Sequence, residues 1–165
     1  MKYPTLLFAG ITLLITGCCN GDFIIPQPED EVVDVTLLIN DCSADHGFTT
    51  VNGSTTASIG SCFNVSSLSV SAKRFRFTAA PSGEVSIIVQ TGSEYGTQRR
   101  TNVVLMDTDG TTELDCETWS IFQDELATII LYYGDLIAGE TYYFNVDVQT
   151  VASAGTFKLC LTDSD

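Results

Sequence analysis

The chain of 165 residues has room for one ordinary domain and not for two. Its 7 basic and 21 acidic side chains, a formal −14, repel a phosphate backbone and exclude a nucleic-acid groove. A hydrophobic content of 44% with 17% charged residues excludes a disordered chain, and the single histidine excludes a histidine-rich metal site. In chain order, the first segment places Lys2 ahead of an apolar run over residues 6–15 and ends in the small Thr16 and Gly17. That is the layout of a secretory signal peptide, too short to span a bilayer comfortably.

The end of this segment is more specific. Ile15-Thr16-Gly17-Cys18 resembles a bacterial lipobox, in which the cysteine thiol takes a diacylglycerol and becomes the new N-terminus. Residues 1–17 are therefore expected to be removed and Cys18 to carry the membrane anchor, each buried CH₂ contributing about 0.8 kcal/mol. Removal deletes Lys2 and no acid, so the mature chain is more acidic still. Residues 18–34 read as a lipidated N-terminus and flexible tether. Pro26 and Pro28 block regular structure there, and Glu29-Asp30-Glu31 is a solvated charge run. No Asp follows Cys18, which favours the outer membrane over the inner. The nearby acids resemble a surface-export signal.

Residues 35–165 are expected to form one all-β domain, an antiparallel sandwich or jelly roll of about 7–9 strands. The strands predicted from the pattern are 35–39, 73–78, 85–90, 102–107, 129–133, 141–148 and 155–161. Most show period-2 alternation. Phe75 and Phe77 oppose Arg74 and Arg76. Val85, Ile87 and Val89 point inward with Ile88 on the outer face, and Val103 and Leu105 point together. Tyr142, Phe144, Val146 and Val148 oppose Tyr143, Asn145 and Asp147, and Phe157, Leu159 and Leu161 are in phase. One buried and one wet face is the signature of antiparallel sheets. Asp109-Gly110 is a strong turn signal. The nearest thing to a helical stripe, residues 119–131, lacks caps and carries β-branched residues.

Cys42, Cys62, Cys116 and Cys160 make an even set in an oxidising compartment, which implies two disulfides. Of the three connectivities, Cys42–Cys62 with Cys116–Cys160 closes a short loop and pins the last strand, and is preferred, with the other two open. Cys19 is left as a free thiol.

No catalytic constellation emerges. His46 follows Asp45, but no G-x-S-x-G is present, and a loop role is expected. Asp107-Thr108-Asp109-Gly110 lacks the remaining ligands of a calcium loop and reads as a hairpin turn. Glu113, Asp115 and Glu117 read as a solvated strand edge. Neither a metal nor a cofactor is expected. Among Trp119, Phe122, Tyr132, Tyr133 and Tyr143, most aromatics must fill the core; Trp119 and Tyr143 are the candidate ligand-binding aromatics. Arg99 and Arg100 could contact an anionic group.

Several segments together resemble a known family. They are Asn40-Asp41-Cys42, Phe48-Thr49-Thr50-Val51-Asn52, Gly60-Ser61-Cys62, Arg74-Phe75-Arg76-Phe77-Thr78, Gly96-Thr97-Gln98-Arg99-Arg100 and Leu114-Asp115-Cys116. Most specific are Gly139-Glu140-Thr141-Tyr142-Tyr143-Phe144-Asn145-Val146 and Gly155-Thr156-Phe157-Lys158-Leu159-Cys160. Across residues 36–163 the chain is similar to the bacterial pre-peptidase C-terminal (PPC-like) β-sandwich domains of Bacteroidetes surface proteins. The resemblance implies a non-catalytic module that binds, spaces or helps to secrete its neighbours. The expectation is a lipid-anchored binding or adhesion module at the cell surface, with a glycan or protein ligand. The alternative is a periplasmic accessory subunit that binds another envelope protein.

Overall fold

The computed structural model describes residues 32–42, 46–53, 71–92, 94–118, 127–148 and 150–163. They form nine strands: β1 Val33–Asp34, β2 Gly47–Thr49, β3 Ser71–Thr78, β4 Val85–Thr91, β5 Thr101–Met106, β6 Glu113–Thr118, β7 Ala127–Tyr133, β8 Thr141–Val148 and β9 Thr156–Thr162. Two 3-10 turns, Thr36–Leu38 and Val151–Ser153, are the only helical residues among those described. One sheet has the order β1-β3-β8-β5-β6 and the other β2-β9-β4-β7. Every pairing is antiparallel except that of β1 with β3. The all-β antiparallel sandwich expected from the alternation is the fold adopted.

The alternation explains the core. The inward rows of one sheet supply Phe75, Phe77, Val103, Leu105, Tyr142, Phe144 and Val146. Those of the other supply Val85, Ile87, Val89, Ile129, Leu131, Phe157, Leu159 and Leu161. At its centre Phe75 stacks on Phe144 with ring centroids 4.9 Å apart and meets Phe48 edge-on at 5.0 Å. Such pairs contribute about 0.5–1.5 kcal/mol beyond the area that they bury. Truncating a phenylalanine as deeply buried as Phe75 to alanine costs about 3–5 kcal/mol.

Backbone turns follow the residues chosen for them. Gly110 (φ 68°) closes the β5–β6 hairpin and Gly139 (φ 82°) precedes β8, both in the left-handed region that glycine enters without strain. Gly96 fills a different need: a Cβ there would collide with the carbonyl oxygen of Thr156, so the chain before β5 can pass this close to β9 only without a side chain.

Four expectations need correction. Residues 35–39 are not a strand. Pairing with β3 stops at Asp34, and the 3-10 turn then carries the chain across the sandwich, where Ile39 bridges Leu161 in the other sheet. Val35 is a fully buried plug at this crossing. The pattern also passes over β2, whose three residues are too short to show alternation. The outer face of the five-stranded sheet is not wet at its centre: Asn145, Asp147 and Asn102 are buried, and β5 is buried at every position.

The preferred disulfide pairing is also overturned, because Cys42 is bonded to Cys160. Leu159 and Leu161 face the core, so Cys160 lies on the outer face of the four-stranded sheet. Cys116 pairs across from outward Val104, on the outer face of the opposite sheet. Packed sheets lie about 10 Å apart, and a disulfide needs Cα atoms closer than about 7 Å, so the sandwich itself forbids Cys116–Cys160. Cys42 is delivered to Cys160 because the backbone N–H of Asn40 bonds Leu161 O at 2.7 Å and its side chain exchanges two hydrogen bonds with Asp163. Cys116 is itself half of a disulfide. Cys18, Cys19, Cys62, Pro26, Pro28, Trp119 and Phe122 lie outside the described residues.

Candidate functional site

The described candidates do not converge. Tyr143 lies half-buried on the outer face of the five-stranded sheet, with the Arg74 guanidinium 5.0 Å from its ring centroid. The same guanidinium donates to Gly110 O, so Tyr143 backs an arginine that braces the β5–β6 turn. Arg99 and Arg100 are exposed just before β5. Register pairs Thr101 with Val148 and Met106 with Tyr143. The two arginines and the tyrosine thus sit at opposite ends of the sheet, about 17 Å apart along the strands. Trp119 lies outside the described residues.

The segment Asp107–Gly110 is a hairpin turn, with its carboxylates spent on the backbone. Asp109 Oδ1 accepts from the N–H groups of Thr111 and Thr112 at 2.7 and 2.8 Å, and Oδ2 accepts from the Thr112 hydroxyl at 2.6 Å. The Thr112 hydroxyl first, then these N–H groups, hold the Asp109 carboxyl well below the usual carboxylate range. No group of three His, Cys, Asp or Glu side chains suited to a metal occurs among the described residues. His46 Nε2 lies 3.3 Å from the exposed Asp41 carboxylate, and its own carbonyl accepts from Leu159 N–H. These are loop contacts beside the Cys42–Cys160 bridge.

Two buried polar groups of residues are structural. Asn102 donates to Asp147 Oδ1 at 2.7 Å and accepts from the Thr118 hydroxyl at 2.7 Å, tying β5, β8 and β6 together. Gln98 accepts from Thr50 at 2.8 Å and donates to Thr101 at 3.0 Å, joining the approach to β5 to the loop after β2. Bonding of this kind is what makes their burial tolerable. Single-sequence reading assigns such residues to solvent, because their partners are 45 and 48 positions away.

A contiguous apolar and aromatic surface does occur on the outer face of the four-stranded sheet. Ile130 and Tyr132 on β7 are 55% and 53% exposed. Ile88 pairs with Ile130 on one side and Cys160 on the other, so an apolar row crosses the sheet. Ser86 continues from Tyr132, and Gln90 lies between Thr128 and Lys158. The Lys158 ammonium sits 4.9 Å from the Tyr95 ring centroid at the far side. Partial burial first, then the Glu84 and Asp135 carboxylates, raise the Tyr132 phenol above its ordinary 10.0. Alternation alone marks Ile88 as outward, but Ile130 as a neighbour of Ile88 emerges only from the register.

No protein-family model matches the chain, and no curated protein matches its sequence.

Proposed function

We propose that the protein is a lipid-anchored, non-catalytic binding module of the bacterial envelope, displayed at the outer membrane and exposed at the cell surface. The sequence supports the anchor through the apolar leader and Ile15-Thr16-Gly17-Cys18, and the PPC-like segments support the module class. The observation that carries the binding reading is the outward surface of Ile130, Tyr132 and Ile88 with polar Ser86, Gln90 and Lys158 around it. An aromatic ring with carboxylates beside it can stack on a sugar face and accept its hydroxyls, and equally can anchor a protein partner.

Protease shaving of intact cells, with a C-terminal tag and lysed cells as control, tests the location; tag loss from intact cells is the expected result. A glycan array and an extracellular-matrix panel then test the surface, with Tyr132→Ala expected to abolish the signal. Protection until lysis, with cross-linking to an envelope partner, would favour the periplasmic accessory role instead.

A further inference from the structure

A sheet edge exposes unpaired backbone N–H and C=O groups that can accept another strand, and native proteins blunt such edges with short strands, charges or bulges. Of the four edges here, β1 is two residues long and β2 three. β6 carries Glu113, Asp115 and Glu117 and has a register shift against β5. β7 has none of these devices: Ala-Thr-Ile-Ile-Leu-Tyr-Tyr runs seven residues without charge, proline or glycine. It pairs with β4 in unbroken register on one side, and among the described residues no strand covers the other.

The surroundings of this open edge are acidic. β6 packs beside β7. In the β5–β6 pairing Asp115 and Glu117 stand opposite Leu105 and Val103, which face the core. Both acids therefore point to the side of β6 on which the other sheet lies, yet both are exposed. They stand at the open margin between the two sheets, where β7 runs. Towards the end of β7, the Glu84 and Asp135 carboxylates lie close enough to act on the Tyr132 phenol. No cation of β4 or of β5–β8 answers them. From Thr101 to Phe157 the chain has ten acidic side chains and no basic one, and β4 has no basic residue either.

We propose that β7 accepts a basic, extended segment of a protein partner, in which apolar side chains alternate with lysine or arginine. An added strand pairs with the open N–H and C=O groups of β7, and its side chains point alternately to the two faces. On the outer face they continue the row of Ile130 and Tyr132, which calls for apolar groups. On the other face they enter the margin held by Asp115 and Glu117, which calls for cations. A second copy of β7 would bring its own Asp115, Glu117, Glu84 and Asp135 to the same margin and is repelled. The inference names the partner class for the surface of Ile130 and Tyr132, and it rests on the reading of that surface as a binding surface.

The probe is a capped synthetic peptide, Lys-Val-Lys-Val-Lys-Val-Lys, titrated into the full-length protein in non-ionic detergent and followed by fluorescence polarisation. It should bind at least about tenfold more tightly than Glu-Val-Glu-Val-Glu-Val-Glu, or than the same lysines and valines arranged as two blocks. Asp115→Asn with Glu117→Gln, both on exposed side chains, should weaken it by about three- to tenfold, as the loss of two surface ion pairs predicts. Peptides N-methylated at every lysine or at every valine test the backbone bonds without altering the protein. One of the two should lose binding, because only one parity faces β7. Hydrogen exchange should slow at alternate β7 amides when the peptide is bound. No binding, equal binding of the Glu-Val or block peptide, or full binding by both N-methylated peptides would each overturn the proposal. Concentration-dependent protection of the β7 amides without peptide would assign the edge to a second copy and overturn it too. If the peptide fails while a glycan or matrix protein binds through Tyr132, this inference falls and the binding-module reading stands; if both fail, both fall.

Discussion

Single residues of this sandwich do unlike jobs that look alike in sequence. Asp109 and Asp34 are both exposed acids, yet each accepts hydrogen bonds that fix a local turn. Asp34 receives Thr36 N–H at 3.1 Å and Arg76 Nε at 3.1 Å, and the Thr36 bonds foremost lower its pKa. A depressed folded-state value means that the stabilisation is fully present above the ordinary 3.8 and is lost as pH falls through the depressed value. Asp109→Asn should therefore unfold more easily than wild type at neutral pH, with the gap narrowing below about pH 4. Chemical denaturation across that range measures it; a gap that is constant with pH would contradict the role assigned to the Asp109 carboxylate. Asn102 and Asp147 make the opposite point. They sit on a face that alternation assigns to water, and the hydrogen bond between them ties β5 to β8 there.

At the level of elements, the N-terminal strap of residues 33–42 links both sheets. β1 adds to β3, Val35 plugs the core, Ile39 bridges Leu161, and Cys42 closes onto Cys160. The bridge spans a sequence separation of 118, and in the chain-entropy account a loop of that size stabilises by about 4–5 kcal/mol. Cys42→Ser with Cys160→Ser should lower the melting temperature by many degrees, while the far-ultraviolet circular dichroism stays β-rich below the transition. A double variant that melts with wild type would show that the strap is held by its hydrogen bonds alone. The length and composition of the edge strands belong to this scale as well: three are short or acidic, and β7 is neither.

For the whole molecule, the decisive geometry is the separation of the two outer faces. Cys160 lies on one and Cys116 on the other, so the four cysteines cannot pair in the order that sequence proximity suggests. With Cys42 and Cys160 joined and Cys116 also oxidised, Cys62 is the remaining member of the even set. Peptide mapping of the unreduced protein should recover a Cys62–Cys116 linked peptide beside Cys42–Cys160. A peptide linking Cys116 to Cys19 instead would break that assignment.

Local chemistry was enough to read much of this protein. Period-2 alternation identified β3, β4, β8 and β9 and their inward rows, because a side chain's face on a pleated strand depends only on its parity. Asp109-Gly110 announced its turn, because positive φ is a property of single residues. What depends on strands far apart in sequence was not legible. The sheet-crossing strap, the Cys42–Cys160 bond, the burial of Asn102 and Asp147, and the separation of Tyr143 from Arg99 and Arg100 follow from strand order and register. The apolar row from Ile130 through Ile88 to Cys160 does too, since only the pairing of β7, β4 and β9 makes neighbours of residues that alternation alone leaves unrelated.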